Sequence, residues 1–324
     1  MPHQFMKRRK ILVNGGAGYI GSHTLLELLH AGYQPVVVDN HSNSDPSMFE
    51  TVKELAGTDI PHYNINCSDR DAMARVLSTE KDIFGVIHFA AFKSVAESVA
   101  QPMRYYQNNL GALATTLELM EEFGIRHLVF SSSCSVYGNI STPVVTEDMP
   151  LGEAKSPYAR TKQICEKMID DTLLSEQVLK AATLRYFNPI GAHASHRIGE
   201  LSPKAPGNLV PLITRTVAGH HPELLVYGND YPTKDGTCIR DFIHVCDLAR
   251  AHVNALKWLE EHPGRQINEK FNIGTGQGHS VLDMIRTFEE ITGEKVRFSI
   301  GPRRTGDIER IHASVVKANS ILGW

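Results

Sequence analysis

The stretch Ile11-Leu12-Val13-Asn14-Gly15-Gly16-Ala17-Gly18-Tyr19-Ile20-Gly21-Ser22 decides how the rest of the chain is read. Three apolar residues run without alternation into a glycine cluster that satisfies both Gly15-x-x-Gly18-x-x-Gly21 and Gly16-x-Gly18-x-x-Gly21. Helical periodicity follows, from Ile20 to His30. An unbroken apolar run suits a strand buried on both faces. Glycine lets the backbone turn tightly and approach a pyrophosphate, and a helix N-terminus beyond it offers free N–H groups and a favourable dipole. The next apolar run, Pro35 to Val38, ends in Asp39, about where an acid meets the adenosine ribose in such folds. A carboxylate there accepts from the 2′- and 3′-hydroxyls and repels a 2′-phosphate, so NAD is expected over NADP. A tight turn kept for packing alone accounts for the glycines but not for the strand, helix and acid around them.

Outward from this loop the pattern repeats. Short apolar runs at Val86–Ala90 and Leu128–Phe130 alternate with a longer helical segment, Pro102 to Phe123. The expected fold is α/β, a Rossmann-type doubly wound parallel sheet with a smaller mixed α/β substrate domain. From Pro189 to Asp235 glycine and proline scatter and periodicity fades, as in a loop-rich part over the carboxyl edge of the sheet. Arg240 to Val245 reads as a strand leading into a helix over Asp247 to Leu259. The expected division is residues 1–185 with 240–275 for the dinucleotide-binding domain, and 186–239 with 276–324 for the substrate domain.

The 324 residues are 42% hydrophobic and 21% charged, enough for a large core. Lys plus Arg is 33 and Asp plus Glu is 36, a net charge of −3 that offers no surface for nucleic acid. After the basic cluster Lys7 to Lys10 only three apolar residues follow, too few for a signal core or a membrane span, so a cytoplasmic protein without a membrane partner is expected. The five cysteines contain no Cys-x-x-Cys, and the histidines contain no His-Glu-x-x-His, so neither a disulfide framework nor a metal site is expected. The pair His220-His221 suits a surface loop.

Two further patterns carry chemistry. Leu128-Val129-Phe130 ends in Ser131-Ser132-Ser133-Cys134-Ser135, which places hydroxyls at the sheet's carboxyl edge. Tyr158 and Lys162 lie four residues apart, on one helical face. A free phenol has a pKa of about 10, but a nearby ammonium and an oxidised nicotinamide both favour phenolate, which could take a proton from an alcohol as hydride leaves the same carbon. Alone, the pair reads as an ordinary i, i+4 contact. Behind the glycine loop and the serine cluster it reads as catalytic.

Taken together these residues resemble the extended short-chain dehydrogenase/reductase family, and its nucleotide-sugar 4-epimerases in particular, from about Ile11 to Trp324. The runs that carry the resemblance include His88 to Ser98, Tyr105 to Asn109, Arg185 to Pro189, Gly228 to Thr233 and Asp235 to Asp241. The resemblance implies inversion at C4 of a UDP-hexose through a transient 4-ketose on a retained NAD. It implies Ser133, Tyr158 and Lys162 as catalytic residues. On the cofactor it implies Gly15, Gly18, Tyr19, Ile20, Gly21, Asp39, Asn40, Asn43, Ser44, Phe89, Ala90, Lys93, Asn108 and Tyr186, together with Tyr158 and Lys162. On the nucleotide sugar it implies Lys93, Ser133, Ser135, Tyr158, Asn188, Asn208, Leu209, Tyr227, Arg240, Arg304 and Asp307. Arginine forks suit two phosphates, although an ion pair of Arg240 with Asp241 or Asp307, or a solvated loop for Arg304, would explain either residue alone. Cys67 stands where relatives carry an acid that touches adenine, and Asn14 where they carry threonine. Ile311 takes a position of variable size near the sugar, and relatives continue for another helix beyond Trp324. A homodimer packed through the helices of 102–123 and 158–174 is implied as well. UDP-N-acetylhexosamine and UDP-glucuronate 4-epimerases remain alternatives. A dehydratase would need Asp-Glu after the strand-end hydroxyl, which Cys134-Ser135 lacks. From another class, a non-catalytic dinucleotide-sensing regulator would typically have lost the Tyr158 and Lys162 pair.

Overall fold

A computed structural model describes residues 8–138, 140, 142–175, 178–201, 207–262, 264, 266–304 and 307–324. The first half of the chain builds β1 (Lys10–Asn14), α1 (Tyr19–His30), β2 (Gln34–Val38), α2 (Met48–Ala56), β3 (His62–Tyr63), α3 (Arg70–Glu80), β4 (Ile83–His88), α4 (Val95–Ala100), α5 (Pro102–Glu122), β5 (His127–Ser133), β6 (Val144–Val145), α6 (Pro157–Leu174) and β7 (Lys180–Tyr186), with a 3-10 turn at Cys134–Tyr137. The second half adds β8 (Asn188–Ile190), α7 (Leu209–Val217), β9 (Leu224–Tyr227), β10 (Ile239–Arg240), β11 (Phe242–His244), α8 (Val245–Glu261), β12 (Ile267–Ile273), β13 (His279–Ser280), α9 (Val281–Thr292), β14 (Phe298–Gly301), β15 (Arg310–Ala313) and α10 (Val316–Leu322).

Seven parallel strands in the order β12-β7-β5-β4-β1-β2-β3 form the main sheet, which is the doubly wound fold expected from the sequence. The unalternating run of β1 has a direct physical reason. Ile11 and Val13 face one core with Leu25 and Leu28 of α1 and Leu256 of α8, while Leu12 faces the other with Leu113 of α5 and Ile169 of α6. Successive strand side chains point to opposite faces, so a central strand covered by helices on both sides must be apolar at every position. The strand order reverses between β1 and β4, where chain connections leave in opposite directions and open a crevice at the carboxyl ends.

The rest of the chain forms smaller sheets over that edge: β13-β10-β15-β6, β11 with β8, and β14 with β9. The run Arg240 to Val245 is not one strand, because β10 and β11 belong to different sheets and Asp241 sits at the switch between them. The fully buried Asp241 carboxylate accepts from Thr275 N (2.7 Å), Thr275 Oγ1 (2.7 Å), Gly276 N (3.0 Å) and Ala313 N (3.1 Å), which satisfies it without a cation. The glycine-rich span 189–235 contains a regular helix, α7, whose Ile213 packs with Leu224 and Val226 of β9. The strand read at Val86–Ala90 runs earlier, as β4. Residues 316–324 do not stay with the small sheets: α10 packs on α8 and β12, and Trp324 Nε1 donates to Asp247 O at 2.9 Å. No helix among the described residues is long and apolar enough to cross a membrane.

Candidate active site

At the reversal point, Gly15 takes φ +77°, and a Cβ on it would lie 2.7 Å from Ala90 N. At Gly21 a Cβ would lie 2.6 Å from Gly15 O, so both positions exclude a side chain for packing reasons. Gly18 differs: a Cβ there meets only Gly15 O, at 3.4 Å, which leaves its outward side open. Gly18 is also the N-cap of α1 and supplies no side-chain cap, so the first-turn N–H groups of Tyr19, Ile20 and Gly21 lack intrahelical partners and face the crevice. An uncapped helix start beyond a glycine with open space suits an anion such as a pyrophosphate.

Asp39 at the end of β2 holds the loop. Its Oδ2 accepts from Ala17 N at 3.1 Å, and its Oδ1 from His41 N at 2.9 Å and Ser44 Oγ at 3.0 Å. A carboxylate offers about four lone-pair sites, so capacity for a ribose hydroxyl remains. The cleft that opens here has about 1090 Å³ of open space, and every residue expected on the cofactor lines it, from Gly15 through Asp39, Asn40, Asn43, Ser44, Phe89, Ala90, Lys93 and Asn108 to Tyr158, Lys162 and Tyr186. Cys67 lines it too, with its thiol pushed up to about 12 by burial and then by the Asp39 charge, so it presents a neutral S–H. These features fit a dinucleotide with a free adenosine ribose.

At the other end of the cleft Ser156 caps α6 by accepting from Ala159 N at 3.1 Å, and Pro157 opens its first turn. Tyr158 and Lys162 therefore emerge on one face, both buried. Burial pushes the Tyr158 phenol up to about 12, opposed by a hydrogen bond with Ser133. The Lys162 ammonium donates to Ser131 O at 2.6 Å, and burial brings its pKa down to about 8. Burial thus favours the neutral phenol, and a positive charge beside it would favour phenolate.

Behind these groups lie residues to which no role was assigned from the sequence. His252 of α8 is fully buried, and its Nδ1 lies 2.8 Å from Leu248 O, which assigns the proton to Nδ1. Nε2 then accepts from Ser131 Oγ at 2.9 Å, so His252 fixes the residue whose carbonyl receives Lys162. Below them the Glu166 carboxylate receives Ser132 Oγ (2.6 Å), Arg185 Nε (3.0 Å) and Arg185 Nη2 (2.7 Å). Arg185 Nη1 also donates to Tyr137 OH at 3.1 Å, and Tyr137 OH to Asn272 Oδ1 at 2.6 Å. His252 could have been suspected from its place on the buried face of α8. The Arg185–Glu166 pair left no local signal.

On the small-sheet side, Arg240 Nη2 lies 3.6 Å from Asp307 Oδ1, and Arg304 reaches the same carboxylate at 3.3 and 3.4 Å while its guanidinium stacks over the Tyr227 ring. The structure thus gathers Arg240, Arg304, Asp307 and Tyr227, and it is Asp307 rather than Asp241 that pairs with Arg240. Arg240 is also close enough to shift Cys134, between Ser133 and Ser135. Ser135 Oγ and Asn188 Oδ1 are buried with no protein partner, which suits polar groups of a ligand between β5 and β8. Leu209 begins α7, and Asn208 is its N-cap. His220 and His221 are exposed, in the loop after α7.

Two buried histidines set an acid limb of stability. Burial lowers His88 to about 3, with the Lys162 charge adding to it, and burial lowers His252 to about 4, both from 6.5. Between those values the unfolded chain binds protons that the folded chain does not, so stability falls as pH drops below about 6.5. Denaturant unfolding at pH 7.5 and pH 5 is expected to show a lower midpoint at pH 5. A midpoint unchanged between them would contradict the neutral buried histidines.

The description "NAD dependent epimerase/dehydratase family" belongs to a family model that matches residues 11–274. The UDP-glucose 4-epimerase of Bacillus subtilis (strain 168) is 48% identical over 314 residues, covering 97% of this chain and 91% of that protein. The UDP-glucose 4-epimerase of Homo sapiens is 44% identical over 321 residues, again 97% and 91%. Among solved structures, the Stenotrophomonas maltophila UDP-glucose-4-epimerase with bound NAD and formylated UDP-arabinopyranose superposes with a TM-score of 0.93 at 46% identity, covering 98% of this chain and 93% of that one. The Bifidobacterium longum UDP-glucose 4-epimerase in complex with NAD+ and UDP gives a TM-score of 0.92 at 40% identity, covering 97% and 92%.

Proposed function

The chain belongs to the NAD dependent epimerase/dehydratase family, and from that membership we infer that it is an NAD-dependent nucleotide-sugar 4-epimerase that inverts C4 of a UDP-hexose, interconverting UDP-galactose and UDP-glucose. The observation that carries this reading is the placement of Tyr158 and Lys162 on the same cleft as the glycine loop and Asp39. When bound, NAD would supply a hydride acceptor and donor and, while oxidised, a positive charge in the cleft that Tyr158 and Lys162 line. Tyr158 takes the proton of the sugar 4-hydroxyl, and Ser133, in hydrogen-bond contact with Tyr158, steadies the reacting oxygen. Lys162, held on Ser131 O, orients the cofactor side. Gly15, Gly18, Tyr19, Ile20 and Gly21 hold the cofactor pyrophosphate, Asp39 with Asn40, Asn43 and Ser44 the adenosine, and Phe89, Ala90, Lys93, Asn108 and Tyr186 the remaining walls. Arg240 and Arg304 take the sugar-nucleotide phosphates, with Ser135, Asn188, Asn208, Leu209, Tyr227 and Asp307 around the sugar and base. The interconversion is redox-neutral overall, so the cofactor would be retained unchanged.

Residues 1–185 and 240–275 serve as the NAD-binding domain, with 186–239 and 276–324 as the substrate part, apart from 316–324, which pack on the former. A homodimer belongs to the same proposal, supported by Val95 (51% exposed), Val99 (63%) and Met103 (63%) clustered along α4 and the start of α5. A monomer mass in light scattering at micromolar concentration would remove it. A cytoplasmic setting accords with five free thiols.

The test is incubation with UDP-galactose and no added cofactor, the products being resolved chromatographically. UDP-glucose is the expected product. Conversion of UDP-glucuronate or of an N-acetylated UDP-sugar instead would move the substrate assignment within the family, and silence on every nucleotide sugar would overturn the enzymatic reading.

A further inference from the structure

Glu200 lies between β8 and α7 and was not picked out by any motif. Its Oε1 accepts two hydrogen bonds, from Lys93 Nζ at 2.9 Å and from Asn208 Nδ2 at 2.6 Å. The carboxylate side chain is 13% exposed, against 50% for Lys93. Tyr19 at the start of α1 faces it as well, since burial and then the Glu200 charge hold the Tyr19 phenol far above its usual range. Glu200 lines the cofactor cleft, and it also lines a second cavity walled by Val210, Pro211, Thr214 and Arg215 of α7. One acid therefore sits where three elements meet: the start of α1, the segment after β4, and the N-cap of α7.

Asn208 shows what this arrangement does. An asparagine at an N-cap ordinarily accepts from the helix's own first-turn N–H groups, yet Asn208 makes no such cap. Its amide is turned instead to Glu200. A carboxylate only accepts, so the NH₂ of Asn208 must face it and the Oδ1 must point the other way. The same oxygen fixes the direction of the Lys93 ammonium.

We propose that Glu200 is a positioning residue for nucleotide binding, its single oxygen, which also holds the Lys93 ammonium, fixing the orientation of Asn208. This rests on the epimerase reading above. The experiment measures UDP affinity by calorimetry, retained NAD after purification, and kcat and KM for UDP-galactose, in the wild type, E200A, E200Q, N208A and E200A/N208A. E200A is expected to weaken UDP binding and raise KM by about tenfold, while kcat and retained NAD change by less than about threefold. N208A is expected to do the same, and the double variant to be no more than about twofold worse than either single one, because the two act as a unit. E200Q keeps an acceptor but can present its amide either way round, so it is expected to fall between the wild type and E200A. Additive losses near a hundredfold in the double variant, or UDP binding by E200A equal to the wild type, would overturn the coupling alone. A wild type that binds no UDP would overturn the epimerase reading and this proposal with it.

Discussion

Replacing Tyr158 by phenylalanine is expected to lower kcat for UDP-galactose by about two to four orders of magnitude, the range lost with a general acid–base group. The ring stays in place and only a hydroxyl is removed. That hydroxyl touches Ser133 and lies buried at the cleft end, and no backbone group depends on it in the hydrogen bonds described. The thermal midpoint and the NAD content should therefore stay near the wild type, which separates a chemical defect from a folding one. A loss smaller than tenfold would mean that another group takes the proton.

Glu166→Ala is expected to cost about 3–5 kcal/mol of stability, because it leaves a buried guanidinium without its counter-charge. Arg185 and Glu166 are 3% and 2% exposed, so water cannot replace the lost partner. Burial opposes the Arg185 charge and the Glu166 carboxylate outweighs that opposition, leaving the guanidinium held above its ordinary value. The loss would be a large share of a typical domain's total of about 5–15 kcal/mol. Denaturant midpoints check it, and Glu166→Ala combined with Arg185→Met should recover part of the deficit, since both charges are then gone. A cost below about 1 kcal/mol for the single change would show that the pair is not desolvated in solution. The pair sits directly beneath the serines of β5, so a partly folded variant is expected to lose activity as well.

How much of this was readable beforehand depends on the distance between interacting residues. The loop Gly15 to Gly21 was legible because its constraints are local: one positive φ, two sites where a Cβ collides with nearby backbone, and a helix that begins within it, at Tyr19. Asp39 was legible from spacing, and Tyr158 with Lys162 from the pitch of a helix capped by Ser156. The strand at Arg240 to Val245 misled because six residues of suitable composition cannot show that the middle one, Asp241, is claimed by donors at Thr275, Gly276 and Ala313. The helix α7 was missed because a glycine- and proline-rich surrounding masked nine residues of good amphipathic spacing.

The chain order of strand, glycine turn, helix and acid, and the later tyrosine and lysine, was thus determined by the sequence itself, since each depends on residues a few positions apart. Only the tertiary structure decided that Glu200 joins Lys93 to Asn208, that His252 holds Ser131 beneath Lys162, and that Arg240 and Arg304 converge on Asp307. These contacts close loops of up to 121 residues. A polar side chain carries no mark of its distant partner, because its pairing follows from where packing of the apolar strands and helices happens to carry it.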